Sequence, residues 1–151
     1  MITPIVPHKE INKILSTIEA LLVEKKLVVE NDINEDLILR TDKESFRSIF
    51  SNLLNNAIKY SPIGSKIIFN AVKEKKSIVI SIKDNGYGIE KNSIKRVFER
   101  FYRSSKARAH TKGTGLGLAL VKQLSSRIGA NVKVESQINV GSEFFVSFQD
   151  K

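Results

Sequence analysis

The run "KIIFNAVKEKKSIVISIKD" constrains the fold more than any other part of the chain. Two apolar, β-branched segments flank the charged "KEKK", which predicts an antiparallel hairpin. A second pair, "NVKVESQ" and "SEFFVSFQ" joined around Gly141, repeats the pattern near the end. Two shorter strands are expected in "KLVVEND" and "DLILRTD", separated by the turn-like "NDINED". A sheet needs its apolar face covered, and three segments have the periodicity to do it. Ile11, Ile14, Leu15, Ile18, Leu21 and Leu22 recur at three- and four-residue steps, which predicts a helix over residues 10–25. A second helix starts after Thr41 or Asp42 as cap and runs to about Tyr60, where "SPIGS" stops it. A third is expected over residues 114–128, ended by Gly129. Paired strands and three helices predict one mixed sheet with helices on one face, an α/β two-layer sandwich.

The 151 residues, 41% apolar and 27% charged, suit a single domain over 1–151 with a real core, residues 1–8 serving as a linker or strand. The absence of cysteine excludes disulfides and cysteine metal sites. No apolar run is long enough to span a membrane, and "MITPIVP" lacks the form of a signal peptide, so a soluble, cytoplasmic domain is expected. The net charge is +9, but the basic residues are scattered without interleaved aromatics. Neither a nucleic-acid partner nor direct membrane contact is therefore expected. Residues 85–112 form a long connection, and such loops are usually functional or disordered.

Four segments can carry chemistry. Asn52, Asn56, Lys59 and Tyr60 lie along one side of the second helix. Two amide oxygens one turn apart can face a hard cation such as Mg²⁺, and a lysine one turn on can meet phosphate. The same asparagines can equally satisfy backbone groups or face solvent. In "KDNGYGIE", Asp84 ends an apolar strand and can accept from an exocyclic amine, or it can simply make an Asp-Asn-Gly turn. "VFERFYRSS" offers aromatic anchors beside Arg100 and Arg103, or an ordinary helical turn. "KGTGLGLAL" runs glycines into an apolar helix, where free backbone N–H groups can cradle phosphate. It is neither the dinucleotide fingerprint nor a Walker loop.

In this order the four segments resemble the catalytic and ATP-binding domain of two-component sensor histidine kinases, within the GHKL ATPase superfamily. "NLLNNAIKYSP" is similar to the asparagine box, "DNGYGI" to the first glycine box, "VFERFYR" to the phenylalanine box and "GTGLGLAL" to the second glycine box. The resemblance covers essentially the whole chain and implies the Bergerat fold, a mixed five-stranded sheet with three helices on one face. It implies ATP and Mg²⁺ as cofactors, with Asn56 the main metal ligand and Asn52 a second contact. Lys59 would approach phosphate and Tyr60 would border adenine and ribose. Asp84 would accept from the adenine amine beside Gly86, Gly88 and Ile89. Ser142 would stand near the base, at a position where the family usually has threonine. Arg103 would reach the γ-phosphate, and Gly113, Thr114, Gly115, Leu116, Gly117 and Leu118 would form the hinge and amide cradle. Residues 104–112 would be the ATP lid, with Lys112 where many members have glycine.

Superfamily members that hydrolyse ATP carry a glutamate four residues before the metal-binding asparagine, as general base. Here that position is Asn52, which takes no proton. The resemblance thus implies transfer to a histidine, catalysed by Asn52, Lys59 and Arg103 through positioning and charge neutralisation. The alternatives are a GHKL-type ATPase and a nucleotide-binding module without transfer. Neither His8, followed by Lys9, nor His110, in the lid, matches the family's acceptor. The implied partners are a separate dimerisation and histidine-phosphotransfer domain of a membrane-bound parent sensor and, indirectly, a response regulator. In isolation the domain is expected to be monomeric and nearly inactive.

Overall fold

The computed structural model describes residues 1–103 and 116–150. Along the chain come β1 (Ile2–Ile5), α1 (Pro7–Thr17), α2 (Glu19–Glu24), β2 (Val28–Asn31), β3 (Leu39–Asp42) and α3 (Lys43–Tyr60). Then follow β4 (Lys66–Lys73), β5 (Ser77–Asp84), α4 (Gly117–Arg127), β6 (Asn131–Gln137) and β7 (Gly141–Gln149). Both expected hairpins form, and the main sheet is five-stranded in the order β2-β4-β5-β7-β6. It is mixed: β2 runs parallel to β4 and every other pair is antiparallel. The expected two-layer sandwich is the observed one.

Register explains where the core stops and the polar end begins. Directly opposed residues in neighbouring antiparallel strands share a face. Ala71, Ile80, Val146 and Val132 form one row across the sheet, and Phe69, Ile82, Phe144 and Val134 the next. The third row is Ile67, Asp84, Ser142 and Ser136. The first two rows are apolar and lie under the helices. The third keeps the same face but turns polar after Ile67, at the end of β5 and the start of β7.

Helix α3 covers the apolar rows. Phe46, Ile49, Phe50, Leu53, Leu54, Ala57 and Ile58 are buried along it, at three- and four-residue spacing. Phe50 meets Phe69 edge-on and stacks with Phe148, ring centroids 6.4 Å away in each case. Asp42 caps the helix by accepting from the Ser45 N–H at 3.0 Å. At the other end the Lys25 ammonium donates to the carbonyls of Ile58 at 2.6 Å and Ser61 at 3.0 Å. A cation there satisfies orphan carbonyls and complements the helix dipole.

The structure corrects the sequence reading in two places. The first helix begins at Pro7, with proline in the first turn, and breaks at Ile18 into α1 and α2. The hydroxyls of Ser16 and Thr17 donate to the Lys13 and Ile14 carbonyls at 2.7 Å, competing with the helical ladder where it ends. Among the described residues the sheet is therefore accompanied by four helical segments rather than three. The two early strands also part company: β2 edges the main sheet, while β3 pairs antiparallel with β1 in a separate ribbon.

Candidate functional site

Above the polar row lies a cavity of about 940 Å³, bounded by α3, the 84–89 turn, the 97–103 segment and α4. Asn52, Asn56, Lys59, Tyr60, Asp84, Gly88, Ile89, Arg103, Leu116, Gly117, Leu118 and Ser142 all line it. Gly86 stands just outside the lining, packed on the end of α3. Gly113, Thr114 and Gly115, with the expected lid, lie outside the described residues. Among the described residues Lys59, Arg100, Arg103 and Lys122 bring cations to the wall, against the single carboxylate of Asp84. Such a balance suits a polyanion with one hydrogen-bond-donating end.

At the carboxylate end, Asp84 is only 5% exposed. Its Oδ1 accepts from the Gly86 N–H at 2.9 Å and the Ser142 N–H at 3.3 Å. Burial outweighs these two bonds and pushes the carboxyl up to about 6. Oδ2 has no protein donor among the described residues and is the atom left for a ligand.

The turn that follows is laced to its neighbours on both sides. Tyr87 N–H donates to the Tyr60 carbonyl at 3.1 Å, and Asn139 N–H to the Tyr87 carbonyl at 2.8 Å. A Cβ on Gly86 would collide with the Tyr60 carbonyl, and one on Gly88 (φ +77°) with the Gln137 carbonyl. Glycine is required here by close approach of backbone to backbone.

At the α3 end, the Asn52 amide donates from Nδ2 to the Ser48 carbonyl at 2.7 Å. That bond leaves Oδ1 turned toward the start of α4, where a Cβ on Gly117 would lie 3.4 Å from it. A carboxylate in this place could not make the donation to Ser48. Asn56, one turn on, faces the same cavity. Phe98 anchors the far wall, edge-on to Phe144 with centroids 6.1 Å apart, and the Lys122 ammonium sits 5.7 Å over its ring. Tyr102 donates to the Ser93 hydroxyl at 2.7 Å and carries the Arg96 guanidinium over its ring at 4.5 Å.

Phe98 and Tyr102 of the expected aromatic anchors line the cavity, whereas the sequence pattern did not point to Asn55, Tyr87, Val97, Lys122, Gln123 or Ser126. Asn55 is exposed and stands on the cavity rim. Helical spacing from Gly117 would have found Lys122 and Gln123 only once the inner face of α4 was known.

The family of histidine kinase-, DNA gyrase B- and HSP90-like ATPases matches residues 41–151. The chain belongs to this family. Among curated relatives, the swarming motility regulation sensor protein RssA of Serratia marcescens is 37% identical over 128 residues, 84% of this chain and 27% of that protein. The sensor histidine kinase WalK of Bacillus subtilis is 37% identical over 111 residues, 72% of this chain and 18% of that protein. The chain therefore spans about a fifth to a quarter of the length of these two curated relatives. The catalytic domain of histidine kinase ThkA superposes with a TM-score of 0.86 at 22% identity, covering 99% of this chain and 97% of that one. The mycobacterial sensor histidine kinase MprB gives 0.83 at 24% identity, covering 99% and 97%. The fold is thus that of histidine kinase catalytic domains, the Bergerat fold. Among the described residues, no helix is long and apolar enough to cross a membrane.

Proposed function

We propose that the cavity binds Mg-ATP with its adenine at Asp84 and its phosphates toward Asn52, Asn56 and the start of α4. The domain then transfers the γ-phosphoryl group to a histidine on a separate dimerisation domain of the same kinase, on the cytoplasmic side of a membrane-bound sensor. A response regulator receives the phosphoryl group afterwards. The solved structure of ShkA is a complex with AMPPNP, and one of ThkA is a complex with the response regulator TrrA, which supports both ends of this reading.

The observation that carries it is Asn52, a neutral amide tied to Ser48 at the position where a hydrolase needs a proton acceptor. An imidazole nitrogen attacks with its own lone pair. The N–P bond forms as the bond from the γ-phosphorus to the bridging oxygen breaks, and ADP leaves with that electron pair. Lys59 and Arg103 offset charge on the phosphate oxygens, and the packed turn at Asp84 holds the nucleotide in place.

The donor set fits a hard metal. Among the described residues no group of three His, Cys, Asp or Glu side chains is placed to hold a cation, whereas two asparagines line the cavity one turn apart. Asn56, with Asn52 beside it, would hold Mg²⁺ together with phosphate oxygens, and the ion would neutralise phosphate charge. The purified chain is expected to bind Mg-ADP and Mg-ATP in a calorimeter and to release almost no phosphate over hours. Sustained phosphate release, abolished by Asn52→Ala, would replace this reading with that of a self-contained ATPase.

A further inference from the structure

The hydroxyl of Ser136 has three neighbours, and counting its one proton fixes the polarity of the base-reading end. The Ile89 N–H donates to Ser136 Oγ at 2.7 Å. Ser136 Oγ lies 2.9 Å from the Gly141 carbonyl, which can only accept, so the serine proton goes there. The third neighbour is Ser142 Oγ at 2.7 Å. With its proton spent, Ser136 has one lone pair left for it, so Ser142 must be the donor. The Ser142 hydroxyl, 8% exposed at the cavity wall, then offers the ligand lone pairs only. Asp84 stands next to it in the same sheet row.

We infer that Ser136, which does not line the cavity, is a specificity-positioning residue: by taking the Ser142 proton it makes this end of the site accept from a 6-amino purine and repel a 6-oxo purine. The inference rests on the reading that a purine nucleotide binds with its base at Asp84. A purine carrying an exocyclic amine meets acceptors at both Asp84 and Ser142. Inosine diphosphate, with a carbonyl at that place, meets lone pairs with lone pairs. Removing the Ser136 hydroxyl frees the Ser142 proton to turn toward the cavity, where it can serve a 6-oxo group.

The test compares calorimetric binding of Mg-ADP and Mg-IDP at pH 8, where the Asp84 carboxyl is ionised. The wild-type chain is expected to prefer ADP. Ser136→Ala should reduce that preference about 5- to 10-fold, the worth of one hydrogen bond. Ser136→Thr, which restores the hydroxyl, should retain it. Ser142→Ala should lose a similar part, and the double variant no more than either alone. Equal weakening of both nucleotides by Ser136→Ala would overturn the inference, as would an unchanged preference in Ser142→Ala, which serves if Ser136→Ala does not fold. A wild-type chain that binds ADP and IDP alike overturns it while leaving the proposed function standing. One that binds neither overturns both.

Discussion

Asp84→Asn is expected to raise the dissociation constant for Mg-ADP by about 100-fold or more while leaving the domain as stable at neutral pH, or more so. The amide keeps an oxygen to accept from Gly86 and Ser142, so the turn retains its two anchoring bonds. It presents an N–H₂ where Oδ2 stood, and donor then faces donor at the adenine amine. Stability moves the other way because burial raises the carboxyl of Asp84 to about 6, above the ordinary carboxylate range. As pH rises, the unfolded chain loses this proton first, so between about pH 4 and pH 6 the folded state holds more protons than the unfolded. Stability from this group is therefore greatest at low pH, falls through that window and stays low above it. Relative to wild type, Asp84→Asn should gain on the order of 1–3 kcal/mol between pH 4 and pH 7. Urea titrations at the two pH values measure it. Nucleotide affinity of the wild type should itself decline below about pH 6, as the acceptor becomes protonated.

The largest loss of stability is expected from Gly141→Ala. Gly141 opens β7 at φ +145°, and a Cβ there would drive into the Asp84 carbonyl and crowd the Asn85 Cα at 3.1 Å. Both neighbours are backbone and have no rotamer to yield. A cost of about 3 kcal/mol or more is expected, with loss of nucleotide binding, since Ser142 and Asp84 are displaced together. Gly129→Ala is the comparison. Gly129 also has positive φ, +75°, but nothing lies within 4 Å of its Cβ position. It should cost only about 1 kcal/mol, the conformational term alone. Thermal and urea unfolding of the two variants separates collision from strain.

The sequence made local structure legible where the pattern itself is local. Both hairpins, α3 and the end of α4 at Gly129 follow from apolar spacing and turn residues a few positions apart. Partner choice between distant strands does not: nothing in "DLILRTD" says that it pairs with Ile2–Ile5 rather than with β2. The break at Ile18 turned on two hydroxyls bonding back to the helix, a choice that apolar periodicity does not register. In the site, Asp84 and the asparagines stood out as polar residues in apolar runs. Ser136 did not, because one serine in a strand is unremarkable until the register sets it opposite Ser142. Counting back from the β6–β7 turn, with Gln137 opposite Gly141, would have placed it there.

Transfer to histidine can be followed by the fate of the γ-phosphate. The chain is mixed with the separate dimerisation and histidine domain that the proposed function requires and ATP labelled at the γ-phosphate. Label should pass to that domain as an acid-labile, base-stable phosphohistidine. It should do so only with Mg²⁺, and Asp84→Asn should abolish it. Label that accumulates solely as free phosphate, at the same rate with or without the histidine domain, would show hydrolysis in place of transfer.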